Sequence, residues 1–600
     1  MGTDDQKALF DCNRRDFLKA SAGVCVAALT IPGISLISNA DAASATSVSQ
    51  EIIETDVLVI GGGFAGTFAA MKAKDKGVDV ILADKGYVGR SGSSPWAGAF
   101  STFDPAGSST LDTYINNATR QDEYIFRRDY VEMWVKDSEA IGKDVVAWGT
   151  VGALNHGDVF REQLRKSNIR LIERIMITNL LEKKGQVVGA IGFPMEEDKA
   201  IIIKAKAVVL CTGAGGFKNV GFPIGPLTYD GQAMAYRLGA EISGKEWNDG
   251  HMIPAEHVDS VWYQYQHHFN MKFGGGPGGK GKGSKGGKGS KAGKQQAGKG
   301  KGSGKGGPGG GARLSAQAII FEAHKGNVPV LVKDILGEGV TPRGPNPLYP
   351  DTSLVLGSTA GEAPHRHDGL FPKDDRCASN VPGLFAAGDA LCTAGVGGSG
   401  ISSSGSAVQG ANAGISAAEF SMRSKVPEIS RAEIIEVKKQ VFEPRAREKG
   451  YSPAWITQVI QSIMTPYYVL YVKKKERLEA ALINIEFLRD HFAPKLLANN
   501  THELRLAHET RNMILNAEMK LRASLFRTES RATHYREDFP ARNDDEWLAW
   551  VIIKQEAEKM ELNKKQLPDD WKPDSGIPYE QRYRNRFPGE LEYLTNSGKA

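Results

Sequence analysis

At 600 residues the chain is too long for one hydrophobic core, and a prior of about 150 residues per domain gives three to four folding units. Its 41% apolar and 24% charged residues, with a net charge of +5, exclude a polytopic membrane protein and a mostly disordered chain. Five cysteines exclude a disulfide scaffold and also built-in iron–sulfur clusters, which take four thiolates each at short spacing.

The chain opens on an address. Asn13-Arg14-Arg15-Asp16-Phe17-Leu18-Lys19 precedes an apolar run from Ala20 to Ile37 and then Ala40-Asp41-Ala42. A basic start, a modest apolar stretch and an Ala-x-Ala end describe an export signal. The paired arginines resemble the twin-arginine type, which predicts export in the folded state to a periplasmic or other extracytoplasmic location. Cleavage after Ala42 is one outcome; an uncleaved anchor is the alternative. Cys211, Cys377 and Cys392 would remain, and they read as buried small apolar residues.

Glu54 to Ile60 reads as a buried strand that runs into Gly61-Gly62-Gly63-Phe64-Ala65-Gly66 and an Ala-rich helix to Lys74. A second strand, Val78 to Ala83, ends at Asp84. Glycines at 61, 63 and 66 fit the G-x-G-x-x-G pattern, and Asp84 follows Gly61 by 23 positions. Strand, glycine turn, helix and distal acid form the context in which a dinucleotide pyrophosphate sits on a helix N-terminus, with the acid at the adenosine ribose. Residues 110–150 read as helical. Strands are expected at Leu171–Leu181, Val187–Phe193 and Ala200–Leu210, the last leading to Cys211-Thr212-Gly213-Ala214-Gly215-Gly216. Asp230-Gly231 opens a helix to Gly239.

Residues 274–311 are almost all Gly, Lys and Ser, with nine lysines and no acid; without them the net charge goes from +5 to −4. Such composition predicts a disordered, solvated insertion. A strand near Gly383–Ala387 leads to Gly388-Asp389-Ala390, a Gly/Ser-rich turn over 395–405 and a helix to about Met422. Residues 431–530 read as strongly helical, and 560–600 as a Pro-punctuated tail on the surface.

Three features then coincide: the glycine-rich turn, Pro382-Gly383-Leu384-Phe385-Ala386-Ala387-Gly388-Asp389, and the run from Arg527-Thr528-Glu529-Ser530-Arg531 through Arg542 to Trp547. The set resembles the flavoprotein subunits of the fumarate reductase and succinate dehydrogenase family, which includes the adenylylsulfate reductase alpha subunit. The resemblance covers roughly 52–260 and 312–555. It implies an α/β fold: a Rossmann-like FAD-binding domain with an inserted α+β capping domain and a C-terminal helical domain. The expected division is a signal at 1–42, the FAD-binding domain at 52–245 and 380–428, the capping domain at 246–379, the helical domain at 429–558 and a surface tail at 559–600.

The resemblance implies FAD as cofactor. Gly61, Gly63, Phe64, Ala65 and Gly66 would hold its pyrophosphate and Asp84 with Lys85 its adenosine side. Arg90, Ser91 and Gly92 belong to the loop under the flavin ring. Thr212, Gly213, Asp230, Gly388, Asp389, Gly400 and Ser402 complete the cofactor set, the last two placing a helix N-terminus near the flavin. Respiratory members carry FAD on a histidine of that loop; none lies between Lys85 and Phe100, so non-covalent FAD is expected.

For catalysis, Arg313 matches the family's proton-donating arginine with one residue missing from its segment. His365 and His367 lie where a substrate-binding histidine is expected. His251 is near another such histidine, with its spacing to Pro254 off by two. No arginine occurs in 395–402, where the family's carboxylate clamp falls, which argues against a standard C4 dicarboxylate site. Met252–Glu256 and Leu356–Gly361 look like the substrate segments of the adenylylsulfate branch, with Glu256 and Thr359 replacing its arginine and histidine. The implied activity is hydride transfer between flavin N5 and a small organic substrate. The alternatives are an adenylylsulfate-reductase-like flavoprotein and an electron-transfer flavoprotein without its own substrate. With no second G-x-G-x-x-G unit, the implied electron partner is an iron–sulfur or cytochrome protein, through which any peripheral membrane association would come. No metal site and no nucleic-acid partner are expected.

Overall fold

The computed structural model describes residues 48–96, 100–150, 156–218, 225–248, 252–254, 320–321, 323–326, 354–356, 368–393, 402–425, 428–583 and 585–597. The export signal and the Gly/Lys/Ser segment lie outside these residues.

The first half is built on a seven-stranded sheet. Strand β1 (Ser49–Ile60) is followed by helix α1 (Phe64–Asp75) and β2 (Val80–Asp84). Helices α2 (Leu111–Asp122), α3 (Arg128–Ala147) and α4 (His156–Lys166) lead to β3 (Arg170–Glu173), β4 (Ile175–Lys183), β5 (Gln186–Pro194) and β6 (Lys199–Leu210). The order is β3-β2-β1-β6-β5-β4, and β2, β1 and β6 run parallel. Parallel neighbours need a crossover, and α1 supplies the first. Helix α5 (Asp230–Arg237) follows β6.

The single strand expected at Leu171–Leu181 is two. Arg174 takes a left-handed φ of +57°. The chain thereby leaves β3, parallel beside β2 at one edge, and enters β4, antiparallel to β5 at the other end of the order. A straight strand cannot serve both places.

The chain then departs through β7 (Ile242–Ser243) and β8 (Met252–Pro254) and returns through β9 (Leu354–Leu356) and β10 (Gly369–Leu370). Strands β8 and β9 pair antiparallel, so the two ends of this excursion meet. Its expected end at 379 falls too late, because Leu370 and Cys377 already sit in the core that holds Val57, Phe68 and Ala413. Strand β11 (Leu384–Ala386) adds parallel to the end of β6. Helix α6 (Ser402–Arg423) then lies on α1; a Cβ at Gly410 would come 2.0 Å from the Ala65 carbonyl oxygen.

The helical region comprises α7 (Arg431–Ala446), α8 (Pro453–Met464), α9 (Lys475–Phe487) and α10 (Thr501–Phe526), around a core of Ile456, Ile460, Leu478, Ile485, Met513 and Leu521. The expected boundary at 558 is wrong. It falls in the turn of a hairpin, β12 (Ala549–Glu556) with β13 (Lys559–Gln566), that joins β7 and β10 in one sheet. Nor is 559–600 only a surface tail: Tyr583, Phe587, Glu590 and Leu594 are buried. No helix among the described residues is long and apolar enough to cross a membrane.

Candidate functional site

Strand β1 delivers Gly61 at φ +103°, a conformation that L side chains rarely adopt. Helix α1 starts three residues later with no side-chain cap and no acid in its first turn. Its free N–H groups and positive dipole end therefore face the turn. The cradle tolerates no side chain: a Cβ on Gly66 would fall 1.7 Å from the Gly61 oxygen, and one on Gly61 would fall 2.2 Å from the Cys211 oxygen. Gly63 faces Ser94, whose Oγ accepts from Phe64 N–H at 3.1 Å. Phe64 itself turns its ring into the core, stacked 4.8 Å from His156, so it offers the turn only its backbone.

Asp84 closes the end of β2. Its Oδ2 accepts from Gly62 N–H at 2.6 Å, and its Oδ1 accepts from Gly86 N–H at 2.7 Å and from Ser91 Oγ at 2.9 Å. The carboxylate thus locks the glycine turn to the 86–94 loop, and a ribose hydroxyl would use the lone pairs that remain. Lys85 turns the other way, to Asp230 at 2.6 Å and Glu509 at 2.8 Å. Arg90 departs from the group, since its side chain is 60% exposed and pairs with Asp158.

Thr212 and Gly213 follow β6. Gly231, at the start of α5, packs so tightly that its Cβ would come 2.1 Å from Thr212 Oγ1, and a Cβ on Gly213 would meet Leu227 at 3.3 Å. Gly388 N–H donates to Gln409 at 3.0 Å within the turn that holds Asp389, and its Cβ would come 3.0 Å from that of Ala65. Ser402 opens α6. The loops after β2, β6 and β11 therefore converge on the α1 N-terminus, as ligand crevices do at the carboxyl ends of parallel strands. Two buried oxygens, Ser93 Oγ and Thr212 Oγ1, have no hydrogen-bond partner among the described residues. Buried hydroxyls are normally satisfied. Together with a helix end whose N-cap glycine offers no side chain and a side-chain-free cradle, they fit a dinucleotide cofactor. Gly400 and the four catalytic candidates, Arg313, His251, His365 and His367, lie outside the described residues.

Two residues of this region carry no sequence signal as site residues. Lys218 ends the glycine-rich run after β6. Glu509 lies on α10, 424 positions from Lys85, and nothing local in the sequence relates them. Cys211, Cys377 and Cys392 are buried and form no disulfide among the described residues, and burial pushes the Cys377 thiol up to about 12. Thiols so hard to ionise are inert packing groups.

The run of arginines from 527 to 542 is internal. Glu529 accepts from Arg527 at 2.8 Å and from Arg531 at 2.7 and 2.9 Å, with all three side chains at 0% exposure. Arg527 also reaches Glu246 at 3.0 Å, and Arg531 reaches Asp544 at 2.7 Å. Arg542 pairs with Glu123 at 2.5 Å and Glu590 at 2.9 Å. The signature ties together the FAD-binding half, the start of the excursion and the C-terminal tail.

The cradle and converging loops define a dinucleotide-binding protein, and its likeness to known families makes it an FAD-dependent oxidoreductase. A family model described as FAD dependent oxidoreductase matches residues 56–220, and one described as fumarate reductase flavoprotein C-term matches 457–582. A fumarate reductase (CoM/CoB) of Methanothermobacter marburgensis has a subunit that is 26% identical over 568 residues, covering 85% of this chain and 99% of the relative. The fumarate reductase flavoprotein subunit of Mycobacterium tuberculosis is 24% identical, covering 84% and 95%. The fold is shared with adenylylsulfate reductase of Archaeoglobus fulgidus, at a TM-score of 0.66, 21% identity and coverage of 88% and 97%. It is shared equally with E. coli quinol fumarate reductase, at 0.66, 18%, 89% and 100%. The chain belongs to the fumarate reductase/succinate dehydrogenase flavoprotein family, and its cofactor is FAD.

Proposed function

We propose that this chain is an exported flavoprotein subunit that reduces or oxidises a small organic substrate by hydride transfer and exchanges its electrons with an iron–sulfur or cytochrome partner. The observation that carries the reading is the near full-length likeness to relatives named as fumarate reductase subunits, joined to a cradle that fits FAD. Bound FAD supplies the hydride donor and acceptor. The chain's own residues bind the substrate, exclude water and handle the proton. In reduction of an enoate, hydride adds to one alkene carbon, and the neighbouring carbon, which gains carbanion character, takes a proton from a group within hydrogen-bond reach. Arg313 is that acid in our reading, with His365, His367 and His251 orienting the substrate. Assay with reduced viologen against fumarate, other enoates and sulfur oxyanions tests the proposal. Turnover of an enoate supports it, and turnover of a sulfur oxyanion alone favours an adenylylsulfate-reductase-like flavoprotein. No turnover of any would favour an electron-transfer flavoprotein without its own substrate, a reading to which the lack of arginine over 395–402 gives some weight.

Replacing Arg313 with Lys is expected to retain FAD and lower turnover by about 10²-fold or more, the scale of losing a positioned acid. Arg313→Ala is expected to be worse, and reduction of the flavin by an artificial donor should be untouched. Wild-type turnover in Arg313→Ala would place the acid elsewhere.

The FAD is held without a covalent bond in this reading. No histidine lies between Lys85 and Phe100, and the next one, His156, is buried between Phe64 and Phe160. Acid precipitation is expected to release all yellow colour into the supernatant; flavin retained on the polypeptide would contradict it. Export rests on the Arg14-Arg15 signal. Protein recovered outside the cytoplasm should begin after Ala42 or retain the anchor, and recovery from the cytoplasm alone would count against it.

A further inference from the structure

Glu509, on α10 of the helical region, reaches through two lysines both loops that frame the cofactor cradle. It is fully buried and paired with three cations: Lys85 at 2.8 Å, Lys218 at 2.8 Å and Arg505 at 2.7 Å. Lys85 follows Asp84 at the end of β2, and Lys218 ends the glycine run after β6. Burial pushes the Glu509 carboxyl up, but Lys85, Lys218 and Arg505 outweigh it and hold it at about 2. It is therefore ionised at neutral pH.

The same loop is docked on the helical region by independent contacts. Gln461 on α8 donates to the carbonyls of Phe217 and Lys218 at 2.9 and 2.8 Å. Ala214, Phe217 and Tyr229 belong to the hydrophobic core of α8–α10, not to that of the sheet. Asn512, one turn on from Glu509, donates to Asp230 at 2.9 Å, and Asp230 also takes Lys85.

The charges do not balance. Among the described residues, Lys85, Lys218 and Arg505 face Glu509 and Asp230, and Arg237 also acts on Asp230, which leaves cations in excess. Burial pushes the Lys218 ammonium below its ordinary value, against Glu509 and with help from Lys85. A further anion beside the lysines would relieve that crowding. Both lysines stand on loops that reach the cradle, Lys85 directly after Asp84 and Lys218 at the end of the run that follows Cys211, so fixing the lysines fixes those loops.

We propose that Glu509 is a positioning residue for FAD: it holds Lys85 and Lys218 so that their loops stay open to the cofactor, and it makes FAD retention depend on the docked C-terminal helical region. The site is thus composite, with a half that the FAD-binding segment does not contain.

The test is the FAD dissociation constant of the full chain, measured by flavin fluorescence on reconstituted apoprotein, beside the thermal midpoint of the apoprotein. Glu509→Gln is expected to weaken FAD by about tenfold or more, the effect of about 1.4 kcal/mol. Glu509→Asp is expected to recover most of it, since the charge returns. Glu518→Gln is the control: it removes a buried carboxylate of the same helix that serves Arg489 and Arg522 instead. It should lower the midpoint and leave FAD affinity unchanged. Should Glu509→Gln not fold, Lys218→Met, which removes the Glu509 contact of the loop after β6, is expected to weaken FAD by a similar factor. The inference is overturned by wild-type FAD affinity in Glu509→Gln or Lys218→Met. It is also overturned if Glu518→Gln weakens FAD as much as Glu509→Gln does, which would reduce the role to general stability.

Discussion

Replacing Glu529 with alanine is expected to cost about 3–5 kcal/mol of stability, the penalty for removing one partner from a buried ion cluster. The carboxylate receives two hydrogen bonds from Arg531, one from Arg527 and one from Asn543 N–H at 2.8 Å. Without it two guanidinium groups at 0% exposure keep only Glu246 and Asp544 as carboxylate partners. Arg527 lies 4.9 Å from the Trp247 ring centre and 5.0 Å from that of Trp547, and it keeps the carbonyls of Trp547 at 3.2 Å and Ala549 at 2.6 Å, which accept hydrogen bonds but carry no counter-charge. Glu529→Gln keeps one acceptor and should lose less. Chemical denaturation followed by tryptophan fluorescence measures both. A loss below about 1 kcal/mol in Glu529→Ala, the range of an exposed pair, would show that the cluster relaxes freely.

Gly66→Ala is expected to yield folded protein without tightly bound FAD. The new methyl would stand 1.7 Å from the Gly61 oxygen and 2.9 Å from its carbonyl carbon, both backbone atoms that cannot rotate away. Relief requires α1 to move off the turn, and overpacking of this kind costs about 1–3 kcal/mol. The same shift withdraws the helix N-terminus from the pyrophosphate, so FAD should bind at least about tenfold more weakly. Gly77→Ala serves as control. Gly77 has φ +84° and nothing within 4 Å of its Cβ position, so alanine there strains the backbone without touching the cradle. Its FAD content should match the wild type. Full flavin occupancy in Gly66→Ala would mean that the turn is softer than its packing implies.

The cradle is legible in the sequence because its physics is local. A glycine with positive φ, a helix start and an acid at the end of the next strand lie within 23 positions and leave a pattern that needs no partner elsewhere. The same holds for the parallel strands, whose near-continuous apolar runs reflect burial on both faces. The bend at Arg174 escapes such a reading because Glu173-Arg174 interrupts the apolar run for only two residues, with no glycine or proline to mark a turn. The hairpin of β12 and β13 escapes it because Lys559–Gln566 carries Lys or Glu at half its positions, as edge strands do, and shows only Met560 and Leu562 to the core. A helical reading fits those residues equally well until β7 and β12 supply the pairing.

The class of cofactor, the strand–turn–helix that receives it and the family signature at 527–547 can each be read from the linear chain, since each depends on residues close in sequence. What the buried charges do becomes visible only once the chain is folded. Arg531 and Arg542 find Glu123, Arg527 finds Glu246, and Glu509 finds Lys85 and Lys218 across spans of hundreds of residues. The reason is that a buried charge is stabilised only by a counter-charge within a few ångströms, and no sequence spacing encodes that distance.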